Sequence, residues 1–236
     1  MRKRIKKLLP FVILILLIVI VYMTNIYHYF NIEWIQKKEL LLVDYARARP
    51  ILAPLIYLGI YIVSVTLVIP DSTILTLIGA MIFPRPEGLI LAVISETVGA
   101  TIFFTIFQTV FGESLILREH ILLRRLRKGF KKYSVSYLLF LRISHIVPFW
   151  FTNIAAAYFS VKYWTFVWTT LIGVIPLTFI IANAGHSLSR AFAENRVMTV
   201  SDIFTIQVKI ALIVIGILAL SPVVYKKWIV KKKWKR

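Results

Sequence analysis

The chain contains no cysteine, which excludes disulfides, thiolate metal sites and cysteine nucleophiles. Acidic side chains are scarce: Asp and Glu number 10 against 29 Lys and Arg, for a net charge of +19. The signatures of soluble catalysis are missing too. There is no HExxH, no G-x-S-x-G, no P-loop and no G-x-G-x-x-G, and no group of His and carboxylates at metal-ligand spacing. The sequence therefore predicts a protein that is not an enzyme and that carries no cofactor or metal.

What is present is apolar. Hydrophobic residues make up 59% of the 236 positions, and the mean hydropathy is +0.82. They cluster in runs at Leu8 to Met23, Ile51 to Ile69, Leu89 to Phe111, Tyr163 to Ala182 and Ile203 to Val224. Runs of this length match the roughly 30 Å of a bilayer's hydrocarbon core, whereas a soluble amphipathic helix keeps one polar face. The expected fold is an all-α integral membrane bundle. The basic start followed by Leu8 to Met23 resembles a signal peptide, but Thr24-Asn-Ile-Tyr-His-Tyr-Phe offers no small-x-small cleavage pattern. A retained anchor with an aromatic end is expected there.

Charge sets the topology. Lys and Arg crowd into residues 2–7, 118–132 and 226–236, while 33–49 and 186–202 are nearly balanced. The positive-inside rule puts the three basic clusters, and with them both termini, in the cytoplasm. That demands an even number of crossings, so two segments must enter and leave on one side. The two candidates carry a proline near the middle: Ile51 to Phe83, broken at Pro70, and Ser136 to Phe159, broken at Pro148. Two re-entrant hairpins from opposite faces would bring their tips together, as in transporters built from inverted repeats. A faint repeat agrees: Ile69-Pro70 with Gly79 corresponds to Val147-Pro148 with Ala157. Three segments follow: an anchor and external loop at 1–50, a core at 51–190, and a last crossing with a basic tail at 191–236.

Ionisable groups within apolar segments are costly and usually mark a site. Four stand out. Asp71 follows Pro70 and either caps a half-helix or exchanges protons. Glu96, mid-way along an apolar run, has no capping role and points to a proton or an ion pair. Arg142 offers a permanently charged fork suited to phosphate, or else it neutralises Asp71 or Glu96. His145 titrates, or hydrogen-bonds a carbonyl freed at the break. Asn153 is expected near the second tip. Between the hairpins, Arg118, Arg125, Lys128 and Lys132 alternate with Leu122, Leu126 and Phe130 at helical spacing. That pattern reads as an interfacial helix on anionic lipid; nucleic acid is not an expected partner.

The stretch Phe140-Leu-Arg-Ile-Ser-His-Ile-Val-Pro-Phe-Trp-Phe-Thr-Asn153, continuing to Trp164 through Pro176 and Gly185, resembles the DedA superfamily, and within it the VTT-domain branch. Pro70, Gly79 to Phe83, Gly88 and Gly99 to Phe103 resemble that family's first half. The likeness covers about residues 50–190. Departures include His145 in place of a proline, Ala157 and Pro84 in place of glycines, and Gln108 in place of an arginine. The resemblance implies two opposed re-entrant hairpins and movement of lipids between leaflets, in some members driven by the proton gradient.

The expectation is a transporter or scramblase for a phosphate-bearing lipid, phospholipid or polyprenyl phosphate. Arg142, Asn153 and His145 would bind substrate, and Asp71 and Glu96 would couple protons. Its partners would be anionic or phosphate-bearing lipids, with homo-oligomers open, and its location a bacterial inner membrane. Two alternatives stand beside it: a proton-coupled transporter of a small ion or solute, and a membrane-organising protein that transports nothing.

Overall fold

The computed structural model describes residues 12–20, 23, 32–69, 72–111, 130, 133–194 and 196, with positions 205, 206, 208–210, 212 and 213. Pro70 and Asp71 at the first predicted tip, and Arg118, Arg125, Lys128 and Lys132 on the predicted surface helix, lie outside the described residues.

Among the described residues every regular element is helical: α1 (Ile32–Ala48), α2 (Leu52–Thr66), α3 (Ser72–Ile82), α4 (Glu87–Phe111), α5 (Ser134–Ser144), α6 (Phe149–Tyr158) and α7 (Tyr163–Ala193). By length and composition α4 and α7 are suited to cross a membrane. At 15 residues α2 extends about 22 Å, short of a full hydrocarbon thickness.

Two expectations are corrected. Residues 33–49 were expected as an external loop, yet all but Arg49 lie within α1; their mixed charge hid a helical propensity supplied by Glu, Lys, Gln, Leu and Ala. The apolar run that starts at Tyr163 was expected to end at Ala182, yet α7 continues to Ala193. Its polar extension is held by packing, since Leu188 and Phe192 lie against Ile78 and Met81 of α3. Pro176 is accommodated inside α7.

The two predicted proline breaks fall between α2 and α3 and between α5 and α6. The first stop is built by the backbone. Val68 takes a left-handed conformation with φ 57°, its N–H donates to Val65 O at 3.2 Å, and the next N–H, of Ile69, donates to Ser64 O at 3.0 Å. This is a Schellman stop with a β-branched residue at the position glycine normally fills. At the second break His145 is left-handed with φ 47°, and Pro148 starts α6 from an extended conformation. There the proline, lacking an N–H, sits where no helical donor is required.

A single packing relation occurs twice. The first limb of each broken pair lies on the long helix of its own half, α2 on α4 and α5 on α7. The second limb reaches the long helix of the other half, α3 on α7 and α6 on α4. Glycines permit these approaches. A Cβ on Gly99 would lie 2.7 Å from Val65 Cβ, and one on Gly173 would lie 2.8 Å from Arg142 Cβ. Val65 and Arg142 each stand three residues before the left-handed residue of their break, so the two contacts correspond. At the other end of α3, Cβ atoms on Gly88 and Gly185 would lie 2.7 Å from the carbonyls of Gly79 and Leu77. The long helices meet at Phe104 and Phe166, stacked 4.2 Å apart. Phe130, from the segment between the halves, is buried against Tyr137 and Phe159 of the second pair.

Candidate functional site

Two charged side chains, Arg142 and Glu96, lie within the bundle. Arg142 lies in the last turn of α5, where the helix dipole favours a cation. It is 2% exposed. One terminal nitrogen, Nη2, donates to Oδ1 of Asn153 at 2.7 Å across the break. Asn153 is itself 1% exposed, on α6. The guanidinium lies over the rings of Phe149 at 4.5 Å and Phe166 at 5.2 Å, so its planar faces meet aromatic π-clouds. Its other two nitrogens, Nε and Nη1, are buried with no hydrogen-bond partner, and so is Oγ of Ser144 two residues on. A buried guanidinium left with open donors is expensive. The arrangement therefore offers an anion a ready set of directed N–H groups.

Glu96 projects from α4 and is only partly buried. Tyr61 of α2 donates to its Oε1 at 2.8 Å, and Thr178 of α7 donates to its Oε2 at 3.0 Å. Tyr61 also bonds Thr76 Oγ1 of α3 at 2.7 Å. The carboxylate thus accepts from hydroxyls of α2 and α7, and Tyr61 links it onward to the hydroxyl of Thr76 on α3. Thr178 has a second acceptor, the Val174 carbonyl at 2.9 Å. Its single hydrogen can serve either bond. With Glu96 ionised, Thr178 donates to the carboxylate; with Glu96 protonated, the acid can donate to Thr178 Oγ1 while Thr178 donates to Val174. Both protonation states are satisfied without moving a heavy atom.

The charges of Glu96 and Arg142 are near enough to interact. No ion pair joins them, however: among the described residues the paired charges are Arg196 and Glu194. Arg142 thus makes no direct contact with Glu96, and Asp71, the other carboxylate it could neutralise, lies outside the described residues. His145 is exposed at the break. Ala157 is fully buried on α6. Gly79 lies under Tyr57, whose hydroxyl donates to Leu75 O at 2.9 Å and clamps α2 to α3. Gln108 donates to Val161 O at 3.2 Å, tying the end of α4 to the α6–α7 turn.

Sequence reasoning missed Tyr61, Thr76 and Thr178. Each sits in an apolar run where a single hydroxyl passes as neutral. The available signal was the pair Tyr57 and Tyr61, four residues apart and so on one helical face.

The described residues are all-helical where regular, and two of the helices are long and apolar enough to cross a membrane; the sequence comparisons point to a membrane protein as well. Residues 69–187, spanning both breaks and most of both long helices, match the VTT domain. The chain belongs to the VTT-domain family of the DedA superfamily and is an integral membrane protein. It is 30% identical over 174 residues to the transmembrane protein 41 homolog of Caenorhabditis elegans, covering 71% of this chain and 67% of that protein. Transmembrane protein 41B of Danio rerio is 26% identical over 184 residues, covering 75% and 62%. The Mus musculus protein of that name is 24% identical over 180 residues, covering 75% and 60%. The chain thus spans about three fifths of the transmembrane protein 41B relatives. No solved structure matches it.

Proposed function

We propose that the protein moves a phosphate-bearing lipid between the leaflets of a membrane, as a transporter or scramblase. The observation that carries this reading is the buried Arg142, with Nε and Nη1 unpartnered beside the second break. An anion that reaches this guanidinium satisfies the open donors and offsets a desolvated charge; a lipid phosphate can do so while its tails stay in hydrocarbon. In this reading α2–α3 and α5–α6 are re-entrant hairpins from opposite faces. The crossed packing of their second limbs on the long helix of the other half supports an inverted-repeat reading. Irregular backbone at membrane depth is tolerated where it is buried or lines a wet cavity.

Asn153 orients the guanidinium, and His145 stands at the entrance to the break. Glu96, with Asp71, exchanges protons, and the two hydroxyl arrangements around Glu96 support that role. Residues 118–132 gather anionic lipid at about 1 kcal/mol per Lys or Arg near the surface. The charge pattern supports cytoplasmic termini, and the reading retains a bacterial inner membrane as the location.

The test is leaflet exchange of fluorescent phospholipid and of polyprenyl phosphate in liposomes containing purified protein. Wild type is expected to accelerate exchange of at least one over empty liposomes, and Arg142→Leu to abolish it while the variant stays folded. Exchange by wild type no faster than empty liposomes overturns the proposal. The Glu96 network favours one rival, a proton-coupled solute transporter. It predicts proton flux without lipid movement, abolished by Glu96→Gln.

A further inference from the structure

Far from Arg142, where α1 meets the open end of the first broken pair, lies a cavity of about 480 Å³, within the usual range for small-molecule sites. Its walls are largely apolar, including Pro54, Met81 and Phe83, with Ser189 of α7 at one side. Two opposite charges line it: Arg47 from the last turn of α1 and Glu87 from the first turn of α4. Each sits at the helix end that suits its sign. Yet they form no ion pair with each other or with any other described residue. Opposite charges that share a cavity and stay apart leave room for a group carrying both signs.

We propose that this cavity is a second lipid site, for the headgroup of a zwitterionic glycerophospholipid with a primary amine. Its phosphate faces Arg47, its ammonium faces Glu87, and its glycerol and upper acyl carbons lie on the apolar wall. Arg47 supplies directed donors for phosphate, and a carboxylate accepts from an ammonium through charge-assisted hydrogen bonds. The charge-based topology puts this end of the bundle away from the cytoplasm, in the leaflet opposite the basic segment 118–132. The inference deepens the lipid-transport reading, for it names the class of lipid gathered at one face. Arg85 and Arg190 add positive charge at the same end, where Arg85 feels Arg190, but neither lines the cavity. An anionic lipid without an amine is therefore the competitor to exclude.

The experiment is native mass spectrometry of the full chain, purified in detergent and offered equal amounts of phosphatidylethanolamine and phosphatidylglycerol. Wild type is expected to retain the amine lipid about tenfold over the other, the scale of one charge-assisted hydrogen bond. Glu87→Gln should bring the ratio near one, and Arg47→Gln should lower retention of both lipids. Both variants must elute as wild type does from size exclusion, and if one does not, the other decides. Equal retention by wild type overturns the proposal, as does a preference that survives Glu87→Gln or retention unchanged in Arg47→Gln. Leaflet exchange measured in parallel separates the two claims. Exchange without lipid preference removes only this site; preference without exchange removes only the transport reading.

Discussion

Gly173 of α7 lies directly beneath Arg142 of α5, so close that a Cβ on the glycine would come within 2.8 Å of the arginine Cβ and 3.4 Å of its Cγ and Cδ. The glycine therefore fixes how deeply the guanidinium is seated. Gly173→Ala is expected to push the α5 end of the second pair outward and to weaken the Asn153 contact. It should cost about 1–3 kcal/mol of stability, the usual scale of overpacking, and slow lipid exchange several-fold. Gly99→Ala, at the corresponding contact with Val65, should cost similar stability with a smaller loss of exchange per kcal/mol. Thermal unfolding and exchange rate, measured on both variants, check this; equal loss of exchange in the two would separate Arg142 from the effect.

Tyr61 and Thr178 hold opposite oxygens of Glu96. Removing one hydroxyl leaves the other to satisfy a charged group in apolar surroundings. Tyr61→Phe and Thr178→Val should each destabilise the protein by about 1–3 kcal/mol. In Glu96→Gln both costs should shrink, because an amide is a weaker acceptor than a carboxylate. A double-mutant cycle on thermal stability measures the coupling. Strictly additive effects would mean that the hydroxyls do not serve Glu96.

Val68 occupies a left-handed backbone position at which a β-branched side chain is strained. Val68→Gly is expected to raise stability by about 1 kcal/mol, with the relief of strain partly offset by the freedom glycine gains in the unfolded chain. Unfolding in detergent reads the change. A marked loss of stability would show that packing of the Val68 side chain against Leu67 and Phe103 outweighs the backbone.

The position of α4, the start of α7 and both breaks were legible because hydrophobic run length and proline are local signals. Pro148 marked its break to within a residue, and Leu89 to Phe111 matched α4 to within two. Arg142, Asn153 and Glu96 were legible because charge and amide groups in apolar runs carry a visible cost. The hydroxyl network was not, since threonine satisfies its own hydrogen bond to the carbonyl four residues back, as Thr97, Thr101, Thr105 and Thr109 all do. Nothing in a sequence separates those residues from Thr178, which reaches across to another helix. The helical state of 32–48 was hidden for another reason: it rests on propensity and on contact with α2 and α3 rather than on a hydrophobic run. The left-handed Val68 could not be read at all, because glycine or asparagine is what the position ordinarily calls for.

The transport account depends on water and headgroups reaching the two breaks from opposite faces, and the natural absence of cysteine makes that directly measurable. Single cysteines are placed at Ile69 and at Ile146, which is 71% exposed, and reacted with a membrane-impermeant maleimide in sealed vesicles of known orientation. Labelling of position 69 from one face and of position 146 from the other is the predicted result. If both positions resist the reagent from either face, or both react from the same face, the opposed-hairpin account is contradicted.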